Sequence, residues 1–269
     1  MSHIRLIISD IDGTILNDLH QIDSDLLTLI PDLKREEIPF VLASARSPKG
    51  MAPIAKELDI EDSPMACYNG ALIQTGEQVL FEHPIDKNEA RQFIDWANQH
   101  FPQVSINLYS GKDWMTDHLD QWSQEEARIT GEKPLILPLL DPLLDTTKPL
   151  HKLLLIGEPE EIQTLYRAIS TDDFPSTAFY LSKANYLEVT AKHVSKEDAL
   201  VELANHYHLS LEEVLTMGDN FNDLPMLKKA GIGVAMGNAP QEVKDEAAVV
   251  TKTNNENGAG QAVETYVLI

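Results

Sequence analysis

Two short apolar runs near the start of the chain have the pattern of buried strands. Residues 4–9 (IRLIIS) and 39–44 (PFVLAS) show no alternation between apolar and polar positions, which is typical of strands covered on both faces. Between them, residues 23–37 follow a helical period, although Pro31 is predicted to kink or shorten that helix. Pro48 is well placed as the first residue of a further helix. This alternation predicts a parallel sheet with helices on both faces.

The middle of the chain, from about Pro84 to Leu187, has a different pattern. Helices are predicted at residues 86–100 and 159–170, and strands at residues 104–109, 151–156 and 177–181. Short buried strands of the first kind return at residues 214–217, 232–235 and 248–251. The sequence therefore predicts an α/β core domain formed by residues 1–83 and 188–269, with a second α/β domain inserted at residues 84–187.

Composition and charge narrow the class of protein and its partners. The chain has 269 residues, of which 43% are hydrophobic, and its net charge is −22. This describes a globular protein whose surface repels nucleic acid and anionic membranes. A single cysteine, Cys67, rules out an internal disulfide, and the sequence has neither a signal-peptide pattern nor an apolar run of about 20 residues. We expect a cytoplasmic protein with no nucleic-acid, membrane or evident protein partner.

Two carboxylates directly follow the first predicted strand. Asp10 and Asp12 stand two residues apart, so their side chains point to the same side if the strand geometry continues, and Gly13 then lets the backbone turn away. The carboxyl ends of strands in an open parallel sheet are the usual place for a ligand. Taken alone, the pair is explained equally well as a turn and a helix cap.

A second acidic cluster follows a later strand. Residues 218–223 (GDNFND) place Asp219 and Asp223 after the apolar run that ends at Met217. If that strand lies near the first one in the same sheet, the carboxylates repel one another, and a divalent cation is the simplest way to neutralise them. Oxygen ligands suit Mg²⁺. Helix capping is the alternative role for Asn222 and Asp223.

Two further polar groups fit the same centre. Ser44, Ala45 and Arg46 follow the second strand and offer a hydroxyl, a backbone N–H and a cation. Lys196 is the first residue of a predicted helix whose first turn is otherwise acidic. A positive charge at a helix N-terminus is unfavourable because of the helix dipole. Taken singly, these are a turn serine and a solvated lysine. Together with the aspartates they outline a site for phosphate and magnesium.

Four segments, in this order and spacing, resemble the motifs of the haloacid dehalogenase (HAD) superfamily of phosphatases. They are residues 10–14 (DIDGT), residues 44–46 (SAR), Lys196, and residues 218–227 (GDNFNDLPML). Residues 68–71 (YNGA) and 231–263 are similar to the Cof-type subgroup. The resemblance implies a Rossmann-like parallel-sheet core with an inserted α/β cap of the IIB type, which sets substrate specificity.

The resemblance also implies roles for individual residues. Asp10 is the nucleophile, and Asp12 is the general acid and base. Mg²⁺ is held by the Asp10 carboxylate, the Asp12 backbone carbonyl and the Asp219 carboxylate. Asp223 belongs to the same metal site and either binds the ion directly or, as the favoured interpretation, supports these ligands from behind. The phosphate-binding groups are Ser44, Lys196, Asn222 and the N–H groups of Ile11 and Ala45, and the candidate substrate contacts are Arg46, Asn69 and Gly70. Glu197 departs from the family, which commonly has glycine there, and either weakens phosphate affinity or binds a basic group of the substrate.

The implied function is a Mg²⁺-dependent phosphomonoester hydrolase that acts on small phosphorylated metabolites, above all sugar phosphates, through an aspartyl-phosphate intermediate. Two alternatives remain open: a phosphotransferase or phosphomutase of the phosphomannomutase type, and a non-catalytic sensor of a phosphorylated ligand. The inserted domain is acidic and has no obvious arginine cluster, which favours hydrolysis over the mutase. A pure sensor gains nothing from Asp12.

Overall fold

The computed structural model describes residues 4–268, which form two compact units. The first unit consists of the chain up to Arg46, Met51–Phe81 and the chain from Ser195 onward. The second consists of Ser47–Gly50 and Glu82–Val194. Each unit has its own hydrophobic core.

The N-terminal segment forms five strands and two helices. In chain order they are β1 (Leu6–Ser9), α1 (Ser24–Arg35), β2 (Phe40–Ala43), α2 (Pro48–Glu57), β3 (Met65–Cys67), β4 (Leu72–Thr75) and β5 (Gln78–Glu82). Every residue of β1 and β2 is buried, which confirms the prediction of strands covered on both faces. Pro31 does not end the first helix, so the shortening that was one of its two predicted effects does not occur. Helix α1 continues to Arg35, because Pro31 lies on the exposed face while Leu26 and Ile30 are buried.

The second unit is a six-stranded sheet with helices. Its elements are α3 (Lys87–His100), β6 (Ser105–Ser110), β7 (Asp113–Thr116), α4 (Gln121–Thr130), β8 (Leu135–Ile136), α5 (Leu140–Leu144), β9 (Lys152–Ile156), α6 (Pro159–Ala168), β10 (Thr177–Lys183) and β11 (Tyr186–Ala191). The strand order is β10-β11-β9-β6-β7-β8, and each neighbouring pair except β7 and β8 is antiparallel. Phe93 of α3, Ile162 of α6 and Leu155 of β9 belong to one core cluster.

The chain returns from the second unit to the first at a later residue than the sequence predicts. The second unit extends to Val194, whereas the sequence placed residues from 188 onward in the core. The reason is β11, which pairs with both β9 and β10 and therefore belongs entirely to the six-stranded sheet.

The C-terminal segment completes the first unit. Its elements are α7 (Lys196–His206), β12 (Val214–Gly218), α8 (Leu224–Lys229), β13 (Ile232–Ala235), α9 (Gln241–Glu246), β14 (Val249–Val250) and α10 (Gly258–Tyr266). The eight-stranded sheet has the order β14-β13-β12-β1-β2-β3-β4-β5. Neighbouring strands from β14 to β3 are parallel, and β3 pairs with β4 in the antiparallel direction.

The predicted α/β class with a parallel core sheet is confirmed. Strand β1 lies between β12 and β2, so the carboxyl ends of these three strands lie side by side at one edge of the sheet. Among the residues that the structure describes, no helix is long and apolar enough to cross a membrane.

Candidate active site

Asp10 leaves strand β1 at the centre of the core sheet. Its N–H still donates to the carbonyl of Met217 on β12 (3.0 Å), and its side chain is buried. The Thr14 hydroxyl donates to Asp10 Oδ2 (3.1 Å). This hydrogen bond and the ladder bond hold the carboxylate at the strand end.

Asp12 is exposed and paired with Arg46. Arg46 Nη2 lies 2.6 Å from Asp12 Oδ1, and Arg46 Nε lies 2.8 Å from Asp12 Oδ2. This is the two-point arrangement in which a guanidinium binds a carboxylate most firmly. Asp12 and Arg46 come from the loops after the neighbouring strands β1 and β2.

Two aspartates occupy the turn after β12, and glycines let them approach. A Cβ on Gly218 would stand 2.4 Å from the Cβ of Asp223, and a Cβ on Gly13 would stand 2.3 Å from Asp219 Oδ2. No side chain fits at either position while the carboxylates keep their places. Asp223 is fully buried, and its Oδ2 accepts the N–H groups of Asp219 and Asn220 (both 3.0 Å).

Lys196, the first residue of α7, lies between two of these carboxylates. Its Nζ is 2.5 Å from Asp10 Oδ1 and 2.6 Å from Asp223 Oδ1, and the residue is only 1% exposed. Gly70 allows α7 to come this close, since a Cβ there would stand 3.1 Å from the Ser195 carbonyl oxygen and 3.0 Å from the Ala199 Cβ.

This cluster contains more acidic groups than basic ones, and the excess negative charge shifts the pKa values within it. Burial and the charge of Asp223 raise the pKa of Asp10 to about 7, although Lys196 opposes the shift. Burial and the charge of Asp223 also raise the pKa of Asp219 to about 6. Burial alone would lower the pKa of Lys196, but the charges of Asp10 and Asp223 outweigh it and hold that pKa above its usual range. The carboxylates of Asp10 and Asp219 are therefore costly to ionise.

The same carboxylates can hold a metal ion. One oxygen from each of Asp10, Asp219 and Asp223 lies within 4.8 Å of the other two. The Asp12 carboxylate is not one of the three and is instead paired with Arg46. Ionised together with Lys196, the three aspartates leave two negative charges uncompensated, and an all-oxygen donor set of this charge fits a divalent cation such as Mg²⁺.

The remaining predicted residues lie in the segments that follow four strands of the core sheet, β1, β2, β3 and β12. Ser44 is buried, its hydroxyl accepts the N–H of Arg46 (3.3 Å), and its carbonyl accepts the N–H of Asn69 (2.8 Å). Asn69 is buried with φ +57°, a left-handed conformation unusual for a residue other than glycine. Ala45 is half-buried beside Ser44, and Ile11 is fully buried beside Asp10, whereas Asn222 is exposed in the turn after β12.

Two interactions at the site were not predicted from the sequence. Asn238, in the loop after β13, donates through Nδ2 to the Gly13 carbonyl (2.8 Å) and to Asp219 Oδ2 (3.2 Å). An amide following a strand of the same sheet was the available signal. Glu197 lies 2.6 Å from Lys229, so a lysine of this chain compensates its charge.

Comparison with known proteins agrees with this architecture. The family model for haloacid dehalogenase-like hydrolases matches residues 7–263. A protein of Haemophilus influenzae is 36% identical over 262 residues, with 97% of each chain covered. The 5-amino-6-(5-phospho-D-ribitylamino)uracil phosphatase YcsE of Bacillus subtilis is 27% identical, with 98% of this chain and 96% of its own covered. A crystal structure of a haloacid dehalogenase-like hydrolase from Bacteroides thetaiotaomicron superposes with a TM-score of 0.88 at 30% identity, covering 97% of this chain and 98% of that one.

The fold, together with the match over nearly the whole length, shows that this protein is an enzyme of the phosphatase class. The chain belongs to the haloacid dehalogenase-like hydrolase family.

Proposed function

We propose that this protein is a Mg²⁺-dependent phosphomonoester hydrolase that acts through an aspartyl-phosphate on Asp10. The observation that carries the proposal is the buried cluster at the end of β1, in which Asp10 contacts Lys196 and lies beside Asp219 and Asp223. A buried carboxylate at a strand end, with a fixed cation against it, is a nucleophile held in one orientation.

Mg²⁺ would be held by the carboxylates of Asp10 and Asp219 and the backbone carbonyl of Asp12. When bound, the ion offsets the charge of the phosphate and of the attacking carboxylate. Asp223 supports this arrangement from behind, because its two oxygens are engaged by Lys196 and by two backbone N–H groups.

The reaction needs two displacements at phosphorus. An oxygen of Asp10 attacks the phosphorus, the ester P–O bond breaks, and the leaving oxygen takes a proton from Asp12. A water molecule then attacks the phosphorus of the aspartyl-phosphate and gives a proton to Asp12, which frees phosphate and restores Asp10. Ser44, Asn222, Lys196 and the N–H groups of Ile11 and Ala45 would bind the phosphoryl oxygens.

The pair of Asp12 and Arg46 has a consequence for this cycle. Asp12 cannot deliver a proton while both its oxygens are held by the guanidinium at 2.6 and 2.8 Å. Substrate binding therefore has to separate the pair. The phosphate offers Arg46 a competing anion, and this gives Arg46 the role of a substrate contact.

The proposed substrates are small phosphorylated metabolites, with sugar phosphates first. The relative YcsE is named for a substrate that carries its phosphate on a ribityl chain, which supports a phosphorylated polyol or sugar. The second unit would act as the cap that selects among them, together with Asn69 and Gly70 of the first.

The test is phosphate release from a panel of sugar phosphates, nucleotides, pyridoxal phosphate and p-nitrophenyl phosphate, with Mg²⁺ and with EDTA. We expect Mg²⁺-dependent release, and a loss of about 10⁴-fold or more in Asp10→Asn, which lacks the nucleophile. Asp245→Asn, an acid-to-amide change on α9, is the matched control and should keep wild-type activity. Wild-type turnover by Asp10→Asn would refute the mechanism. Phosphate transfer between sugar phosphates without release would establish the mutase instead.

A further inference from the structure

The side chain of Asn238 occupies an unusual position at the edge of the core sheet. It projects from the loop after β13, yet it bonds to the loops that follow three other strands. Its Nδ2 lies 2.8 Å from the carbonyl of Gly13, after β1, and 3.2 Å from Asp219 Oδ2, after β12. The backbone N–H of Asn254, after β14, donates to its Oδ1 (2.9 Å). One amide thus joins the loops of four adjacent strands.

The orientation of this amide is fixed by its partners. Nδ2 faces two acceptors, and Oδ1 faces a donor. A flipped amide would bring oxygen against oxygen and an N–H against an N–H, so only one orientation satisfies the contacts. Asn254 is fixed in turn, because its own Nδ2 donates to the Leu16 carbonyl (3.0 Å) and to Asp18 Oδ1 (3.2 Å).

Asp219 depends on such a contact more than its neighbours do. Asp10 is held by Thr14 and Lys196, and Asp223 by Lys196 and two backbone N–H groups. For the Asp219 carboxylate, the side-chain donor that the structure places on it is Asn238. The close approach of Gly13 limits where that carboxylate can lie, and Asn238 clamps Gly13 and Asp219 together.

We propose that Asn238 is a positioning residue that orients the Asp219 carboxylate for the divalent cation. The inference rests on the proposed metal site and extends it to a residue in a different loop. A carboxylate that is already oriented loses less freedom when it binds the ion, so removal of the amide should weaken metal affinity. Turnover at saturating metal should change little, because Asn238 contacts none of the proposed reacting groups.

The expected effect is on the metal-dissociation constant. Loss of a partner behind a metal ligand commonly costs 10–100-fold in affinity, and we expect about tenfold for Asn238→Ala, since this side chain is exposed to solvent. Asn238→Leu, which keeps the size but has no amide, should show the same loss. Asn255→Ala is the matched control. Asn255 is an exposed asparagine of the next loop whose side-chain amide bonds to Asp18, and its variant should bind metal like the wild type.

The experiment is calorimetric titration of metal-stripped protein with Mg²⁺ and, separately, Mn²⁺, without substrate. The melting temperature in EDTA verifies folding of each variant, and activity against metal concentration gives kcat and the half-saturating metal concentration. The proposal is supported if both Asn238 variants have a larger metal-dissociation constant than the wild type and keep its kcat at saturating metal. Equal dissociation constants in wild type and Asn238→Leu would overturn the proposal, as would a lower kcat with unchanged metal binding.

The titration separates this inference from the proposed function. A wild-type protein that binds no divalent cation would refute the metal requirement, and with it the role of Asn238. A wild-type protein that binds metal but releases no phosphate would refute hydrolysis alone, and the dissociation constants would still decide the role of Asn238.

Discussion

At the scale of single residues, the site is a balance among buried charges. Lys196 contacts Asp10 and Asp223 at once and is almost fully buried. A buried charge is tolerated when it is paired and hydrogen-bonded, and its removal strands the partners. Among residues 4–268, no lysine or arginine forms an ion pair with Asp219, which is also less buried than Asp223. At Asp219, metal binding requires the ionised carboxylate, whereas folding stability favours the protonated one.

This conflict gives a pH-dependent prediction for Asp219→Asn. In the folded wild type, burial and the charge of Asp223 raise the pKa of Asp219 from its ordinary 3.8 to about 6. The native state thus binds this proton more tightly than the unfolded state. The stability that the proton supplies is complete below pH 4 and is lost as the pH rises through 6. The Asn variant, which cannot ionise there, avoids the loss.

In EDTA, we expect Asp219→Asn to be more stable than wild type at pH 7 by on the order of 2 kcal/mol, and similar to it at pH 4. Urea unfolding at both pH values measures this. Added Mg²⁺ should stabilise the wild type at pH 7 and leave the variant unchanged. A stability difference that is the same at both pH values would contradict the assignment.

The sequence was sufficient to group most of these residues at one edge of the sheet, but it did not show which of them contact one another. Asp10 and Asp219 follow buried strands, and this pattern can be recognised in the sequence alone. The double contact of Lys196 and the bond from Asn238 to Asp219 join residues distant in the chain, and they depend on exact distances between loops. Neither local pattern nor resemblance supplies such distances.

At the scale of elements, the second unit contains a polar group in its sheet interior. Asn107 of β6 is fully buried, and its Oδ1 accepts the indole N–H of Trp114 on β7 (2.9 Å). Its Nδ2 donates to the carbonyl of Leu154 on β9 (3.2 Å). The side chain therefore fixes three neighbouring strands relative to one another.

We expect Asn107→Ala to destabilise the protein by about 1–3 kcal/mol, since it leaves the buried indole N–H of Trp114 without its acceptor. Trp114→Phe removes that donor. In a double-mutant cycle, Trp114→Phe should therefore cost less in the Asn107→Ala background than in the wild type, by about 1 kcal/mol. Chemical unfolding of the four proteins gives the coupling energy. Additive effects would show that the hydrogen bond contributes nothing.

Elements of this unit were also the hardest to predict. The long apolar strand β9 and the amphipathic helices α3 and α6 lie close to their predicted limits. No clear apolar pattern marks β7, α4, β8 and α5, which are short and lie in a stretch rich in charges and prolines. Their formation depends on pairing and packing with elements far along the chain.

At the scale of the whole molecule, the dominant property is a net charge of −22. Charges of one sign repel each other over the surface, and the folded state keeps them closer together than the unfolded state does. Salt screens this repulsion within about 10 Å at 0.1 M ionic strength. The proposed site counters the field only locally, through Lys196 and Arg46.

We expect the melting temperature at pH 7 to rise by on the order of 3 °C when NaCl increases from low concentration to 0.2 M. The increase should largely vanish near the sequence pI of about 4.6, where the net charge is small. Thermal scans in EDTA, with and without salt at both pH values, measure it. An equal rise at both pH values would indicate a general salt effect and contradict electrostatic self-repulsion.

The insertion of the second unit has a consequence for how the protein is made. Strand β1 needs β12 as a neighbour, but the ribosome reaches Val214 only after the whole of Glu82–Val194 has been synthesised. At 5–20 residues per second, that interval is on the order of 10 s. During it the nascent chain carries an open edge on its central strand, next to the future nucleophile. Once Val194 has been synthesised, the second unit has all the residues of its own core and can fold before the first unit. The unpaired edge of β1 is thus the segment most available to a chaperone, or to mispairing, before synthesis is complete.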